Sequence, residues 1–377
     1  MKRRDLIKEA LLAALARPAI RAGAGVGALA TLSSPLAAAD LPTIRWRMAS
    51  SFPKSLDTIY GGAEVLAKRV SRLTGGKFQI RIYAGGELVP ALSVLDKVQD
   101  GTVECGHSAG YYYVGKNMAF AFDTALPFGL TAREQNSWMS AGNGLKLTRE
   151  LFHEYNIVNF PGGNTGVQMG GWFRREIKSL ADLKGLKMRI PGIGGQIMSR
   201  LGAIPQTVPG GDIYPMLERG ALDATEWVGP YDDEKLSFYK VAKFYYYPGW
   251  WEGGPQLSFY VNEKKWQSLP DAYQAAFEVA AAEANARMLA DYDAKNPPAL
   301  LKLVKRGVQL RAFPKDIMVA ARKASFEFYD EQAAKNKTFR RIYTDWKKFR
   351  DTSHQWFKVA ESAYTNFLYY YRPGKRR

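Results

Sequence analysis

The chain has 377 residues, long enough for two lobes with separate cores. Its 46% hydrophobic and 24% charged residues are those of a globular protein, not of a disordered or fibrous one. Its 53 Lys and Arg against 36 Asp and Glu leave a formal charge of +17 and point to anionic partners without saying which. A single cysteine, Cys105, excludes an intramolecular disulfide, and the three histidines, His107, His153 and His354, lack the mutual spacing of a zinc centre.

Residues 1–39 read as an export signal of the twin-arginine type. Lys2, Arg3 and Arg4 make a basic head, residues 22–36 are small, apolar and uncharged, and Ala37-Ala38-Ala39 supplies the small side chains a signal peptidase needs before Asp40. Gly23, Gly25, Gly27 and Pro35 make the same stretch a poor buried helix. Cleavage near Ala39 and Asp40 removes six Lys/Arg and two Asp/Glu, which lowers the formal charge to +13. No later stretch has the ~18 consecutive apolar residues of a membrane span, so the mature chain is expected to be soluble in the periplasm, where nucleic acid is not a partner. The remaining surplus charge gathers in 335–377, interleaved with aromatics, and reads as a solvated helix face.

Ile44-Arg45-Trp46-Arg47-Met48-Ala49 alternates as a strand and breaks at Ser51-Phe52-Pro53. Asp57 is placed to cap the helix that Ile59, Ala63, Leu66 and Val70 propose. A strand at 78–83, a short helix at 92–100 and a strand at 103–107 follow, with Cys105 as a buried thiol. The rhythm predicts an α/β sheet with helices on its faces.

The pattern then repeats. Residues 132–155 read as a helix, 167–173 as a strand approached by glycine-rich 162–166, 186–190 as a strand ended by Pro191, 194–201 and 213–219 as helices, and 224–228 as a strand closed by Gly229-Pro230. This gives a first lobe at 40–160 with later return segments, and a second at 161–255. Residues 256–314 read as a connecting strand and a long Ala-rich helix partly broken at Pro297-Pro298. Residues 315–377 read as mostly helical. Their apolar positions Phe326, Phe339, Ile342, Trp346, Phe349, Trp356, Phe357 and Ala360 need more cover than one small lobe offers, so they run along both lobes or against a second subunit.

Gly106-His107-Ser108-Ala109-Gly110 matches the G-x-S-x-G turn of serine hydrolases and makes an exported hydrolase using Ser108 the alternative function. Against it, Tyr111-Tyr112-Tyr113 is poor helix-opening sequence, and His153 and His354 fall inside amphipathic helices. The glycine pairs fit neither dinucleotide nor P-loop spacing. More informative is Arg189 at one strand end, Glu226-Trp227 at another and Trp250-Trp251-Glu252 after a turn. An arginine beside an aromatic wall suits a bidentate hold on a carboxylate. A neighbouring glutamate would repel that ligand unless a hard cation lay between them. A plain Arg–Glu salt bridge is the other reading.

The runs Gly166-Val167-Gln168-Met169-Gly170-Gly171-Trp172-Phe173, Leu183-Lys184-Gly185-Leu186-Lys187-Met188-Arg189-Ile190-Pro191-Gly192 and Asp223-Ala224-Thr225-Glu226-Trp227-Val228-Gly229-Pro230 resemble the solute-binding subunits of tripartite ATP-independent periplasmic (TRAP) transporters. The resemblance spans nearly the whole mature chain. Glu226-Trp227-Val228-Gly229-Pro230-Tyr231-Asp232-Asp233 and Trp251-Glu252-Gly253-Gly254 are most similar to the branch that binds 2-oxoacids.

The resemblance implies an α/β, two-lobed periplasmic binding protein of the venus-flytrap type with long carboxy-terminal helices. It implies no enzyme, but a subunit that captures a small 2-oxo or 2-hydroxy monocarboxylate, such as a pyruvate-like or lactate-like acid, and delivers it to the membrane permease. By the same resemblance, Arg189 clamps the carboxylate. Gln168, Glu226 and the backbone of Trp227, with Glu252 joining, hold a Na+ or Ca2+ ion that bridges to the ligand. Gln168, Trp227 and Glu252 also face the ligand, and Phe52 with Tyr112 or Tyr113 closes the pocket from the first lobe. Members of this branch pair through a long carboxy-terminal helix, which implies a homodimer here. The tail 372–377 and the strong basic charge depart from the family pattern.

Overall fold

A computed structural model describes residues 41–371, so the signal-like residues and the basic tail lie outside the described residues. In chain order the strands are β1 Ile44–Ser50, β2 Phe78–Tyr83, β3 Cys105–Ser108, β4 Ile157–Asn164, β5 Gly171–Phe173, β6 Lys187–Arg189, β7 Ile204–Gln206, β8 Ala224–Thr225, β9 Phe244–Tyr247, β10 Gln256–Asn262 and β11 Gln309–Ala312. They form two sheets, one ordered β2-β1-β3-β10-β4 and the other β11-β9-β5-β8-β6-β7. The fold is two-lobed α/β with one sheet at the heart of each lobe.

In the first sheet β1 pairs in parallel with β2 and β3, and β10 runs antiparallel between β3 and β4. The alternation read in β1 is real: Trp46 and Met48 are buried while Arg45 and Arg47 face water. The helix Ile59–Leu73 covers this sheet with Ala63, Leu66 and Val70. Its N-cap is Thr58, without a side-chain cap bond, so the expected capping role of Asp57 is corrected. The buried carboxylate of Asp123 cross-links β10 and β4, accepting from Tyr260 Oη and Asn159 Nδ2, each at 2.8 Å.

Several expected elements shift. The helix read at 132–155 is two helices, Ala132–Ser140 and Gly144–His153. The strand expected at 167–173 shortens to β5, and of the glycine-rich stretch before it residues 162–164 lie in β4. Gly162 and Gly163 are small because the Phe259 ring and Met288 press on them, where an added Cβ would come within 2.3 and 2.4 Å of those side chains. The helix Asp271–Lys305 continues through Pro297 and Pro298 instead of breaking there.

Residues 165–170 carry the chain from β4 in the first sheet to β5 in the second, and residues 248–255 carry it back from β9 to β10. Asp271–Lys305 packs on Ile59–Leu73 and β4, then on the helix Pro230–Lys235, and leads into β11. The carboxy-terminal helices Lys315–Lys335 and Lys337–Phe357 find more cover on their own chain than expected. Phe339, Ile342 and Trp346 are buried, Tyr329 Oη donates to the Pro127 carbonyl at 2.7 Å, and Trp138 Nε1 donates to Asp345 at 2.8 Å. Beyond a π turn, Lys358–Ser362, the helix Ala363–Tyr370 leaves Tyr364, Phe367 and Leu368 exposed, as is Trp356 before it.

Candidate functional site

The ends of strands from both sheets and the two crossing segments converge on one place. Arg189 closes β6 and lies in register with Thr225 of β8, so Glu226 follows immediately beside it, its N–H donating to the Arg189 carbonyl at 3.2 Å. Gly171 makes this junction possible. Its φ is +83°, and a Cβ there would stand 2.3 Å from the Thr225 carbonyl oxygen and 2.9 Å from Glu226 Cα.

Gln168 and Glu252 come from opposite crossings. The Gln168 N–H donates to the Glu252 carbonyl at 3.1 Å, and Gly249 N–H donates to the Gln168 carbonyl at 2.9 Å. Site residues therefore sit on the segments that join the lobes.

Arg189 is 1% exposed. Its Nε donates to the Val208 carbonyl at 3.2 Å, its Nη1 to the Glu226 carboxylate, and its guanidinium lies 5.0 Å over the Trp227 ring. Nη2 is buried without a partner. Three buried acceptors nearby are in the same condition: Gln168 Oε1, Glu226 Oε2 and Glu252 Oε2. Gln168 Nε2 donates to Thr165 Oγ1 at 3.2 Å, which fixes the amide with its oxygen free.

Beside them lies a small cavity lined by Phe52, Tyr112, Gln168, Arg189 and Trp227, all named from the sequence. It is also lined by Ile59, Tyr111, Thr165, Val228, Pro255 and Leu257, which were not. Glu226 and Glu252 lie outside this lining but share its charge environment. Tyr113 is not brought to the cavity, because its hydroxyl pairs with Ser108 Oγ at 2.8 Å and accepts from Leu95 N–H at 3.2 Å.

Burial dominates the electrostatics. It pushes Glu226 up to about 7, with Asp233 adding and Arg189 opposing. Burial and then the charge of Glu226 raise Glu252 well above the carboxylate range. Burial alone would lower Arg189, but Glu226 holds it above its ordinary value. An uncompensated excess of acceptors around one guanidinium is costly in a dry site.

The donor set fits a hard cation. Two buried carboxylates that feel each other's charge, Glu226 and Glu252, and the amide oxygen of Gln168 are left without hydrogen-bond partners, an oxygen set of the kind such a cation takes, although among the described residues no group of three or more His, Cys, Asp or Glu that could hold a metal is found.

The hydrolase alternative lacks its base. Ser108 Oγ bonds Ser51 Oγ at 2.6 Å as well as Tyr113. The buried His107 ring packs between Phe52 and Phe259, and burial pushes its imidazole down to about 3. His153 pairs with Glu263 at 2.8 Å, and His354 lies 3.7 Å from Glu134. Among the described residues no histidine hydrogen-bonds Ser108.

Residues 49–336 match the family described as bacterial extracellular solute-binding protein, family 7. A monocarboxylate 2-oxoacid-binding periplasmic protein of Nostoc is 52% identical over 367 residues, 97% of this chain and 99% of that one. A TRAP transporter solute-binding protein of Bordetella bronchiseptica, a mixed-occupancy dimer with copurified calcium and picolinate in one active site and the other apo, is 57% identical. It superposes with a TM-score of 0.86, covering 87% of this chain and 98% of that one. A TRAP periplasmic solute-binding protein of Pseudoalteromonas atlantica with bound sodium and pyruvate is 40% identical with a TM-score of 0.84, covering 88% and 100%.

Proposed function

The chain belongs to family 7 of the bacterial extracellular solute-binding proteins, as a TRAP transporter subunit, and from that premise we propose that it captures a small 2-oxo monocarboxylate of the pyruvate kind together with Na+ or Ca2+. The observation that carries this reading is the surplus of buried acceptors at the site: Gln168 Oε1, Glu226 Oε2 and Glu252 Oε2 are without partners, against the free donors Arg189 Nη2 and Trp227 Nε1. A lone carboxylate would satisfy Arg189 Nη2 but would make it costlier still for Glu226 and Glu252, both already raised by burial, to ionise beside it. A bound cation would supply the positive charge that lets these carboxylates and the ligand's carboxylate and 2-oxo oxygens share one site.

The chain's own groups do the rest. Arg189 orients the carboxylate, held flat by Trp227 and anchored at Nε by the Val208 carbonyl. Gln168, fixed by Thr165, presents its oxygen with Glu226 and Glu252. Phe52 and Tyr112 from the first sheet, facing Trp227 from the second, exclude water, and the small cavity selects a short substituent. Relatives support the same ligand class, since the Bordetella structure holds calcium and picolinate, the Pseudoalteromonas structure holds sodium and pyruvate, and the Nostoc protein is named for 2-oxoacid binding.

In this reading the protein binds and releases its ligand unchanged and acts as no enzyme. Its signal is cleaved near Ala39 and Asp40, its lobes part at the crossings 165–170 and 248–255 and not at 160 and 255 as expected from the sequence, and the exposed face of Ala363–Tyr370 is covered by a second copy. A thermal-shift screen of 2-oxo and 2-hydroxy acids, each with and without Na+ and Ca2+, tests it: pyruvate with a cation should raise the melting temperature. No stabilisation by any acid with either cation would overturn the assignment.

A further inference from the structure

We propose that Asp57, Tyr231 and Lys235 form a latch across the mouth of the cleft that sets how long a ligand stays bound without touching it. Arg189 is 1% exposed, so no ligand reaches it unless the two walls of the cavity part. Asp57 lies on the loop after β1, between Phe52 and Ile59, which both line the cavity. Tyr231 and Lys235 lie on the helix Pro230–Lys235, immediately after Trp227 and Val228 of the opposite wall. The contact therefore joins the same two segments that must separate.

Both oxygens of Asp57 are engaged across the gap. Tyr231 Oη donates to Oδ2 at 2.9 Å, and Lys235 Nζ pairs with Oδ1 while reaching the Ser55 carbonyl at 3.3 Å. The Tyr231 ring lies between Lys235 Nζ at 4.7 Å and Lys295 Nζ at 4.9 Å, and Lys295 also donates to Thr58 Oγ1 at 2.9 Å. Asp57 has no capping duty to account for its placement.

Its side chain remains 53% exposed, so water and salt can compete and the contact can break and reform. A fully buried pair would instead hold the lobes shut. Opening costs these contacts whether or not a ligand is inside, so the latch slows entry and adds to the ligand's own contacts in slowing release.

The probe is pyruvate with saturating calcium, which rests on the function proposed above, read by stopped-flow tryptophan fluorescence. Asp57→Asn and Lys235→Met should each raise the release rate about two- to fivefold, and should raise the association rate as well because the closed ligand-free protein opens more readily. The double variant should be no faster than the faster single one, because both break the same contact. Choline chloride raised from about 50 to about 500 mM should speed release from the wild type but not from Asp57→Asn. Unchanged release, or strictly additive effects, overturns the latch.

Hydrogen exchange of the ligand-free protein separates this from a failure of the ligand assignment. Amides of 54–58 and 231–235 should exchange faster in Asp57→Asn than in the wild type, and equal rates overturn the latch even if pyruvate does not bind.

Discussion

Arg189 gathers the electrostatics of the site into one side chain. Its Nε is committed to a carbonyl, Nη1 to Glu226, and Nη2 alone is left for a ligand. Lysine keeps the charge but cannot serve three directions from a planar fork, so Arg189→Lys should weaken pyruvate binding by about 1.5–3 kcal/mol in calorimetric titration. Unchanged affinity would remove Arg189 from the site.

A second residue-scale expectation concerns Asp123, far from the ligand. Burial before all else raises it from 3.8 to about 6, opposed by its hydrogen bonds from Tyr260 and Asn159. The folded state thus holds the proton more tightly than the unfolded one. Stability is unaffected below about pH 4, where both are protonated, and falls as pH rises towards 6. Denaturant unfolding should show the wild type losing on the order of 2–3 kcal/mol relative to Asp123→Asn between pH 4 and 6. A gap that stays constant across that range contradicts the assignment.

At this scale much of the site was legible. Gln168, Arg189, Trp227, Phe52 and Tyr112 were named beforehand and line one cavity. Tyr113 could not be told from Tyr112 in the sequence. The choice is made by Ser108 and Leu95, which occupy its hydroxyl and come from other elements. Leu257 and Ile59 carry only apolar side chains, which nothing in the sequence separates from core.

Among elements, the junction of β5, β6 and β8 decides whether these residues meet. Gly171→Ala puts a methyl against the Thr225 carbonyl in a backbone conformation that alanine resists. It should cost about 1–3 kcal/mol of stability and weaken ligand binding as well, because Glu226 is displaced. Chemical denaturation paired with ligand titration checks both, and an unaltered affinity would mean that the junction does not position Glu226.

The longer elements with clear periods, β1, β2 and the helix Ile59–Leu73, were visible in advance. β7, β9 and β11 were not, since three or four residues hold no period and Phe244–Tyr247 reads as an aromatic cluster. Residues 167–170 of the crossing were read as strand because they continue the pattern of β5, although the chain there is passing between sheets.

For the whole molecule, the carboxy-terminal segment divides into a packed part and an uncovered one. Removal from Lys315 onward would strip Phe339, Ile342 and Trp346 from the core and should give aggregate. Termination after Phe357 removes only the π turn, the exposed helix and the tail. That shorter protein should fold, bind pyruvate and sediment as a monomer, whereas the intact mature chain should sediment as a dimer. A monomeric intact chain, or a dimeric truncated one, would show that Ala363–Tyr370 is not the pairing surface.

The apolar spacing of the segment was legible, but its division was not, because Phe339 and Trp356 look alike in sequence and differ only in what lies opposite them.

The account as a whole rests on a carboxylate and a cation sharing one site between two lobes. Calorimetric titration of pyruvate into the mature protein after exhaustive chelation, in sodium-free buffer, tests that directly. The expected result is no measurable binding, restored by calcium or sodium and abolished again in Glu226→Gln; full affinity without either cation would contradict it.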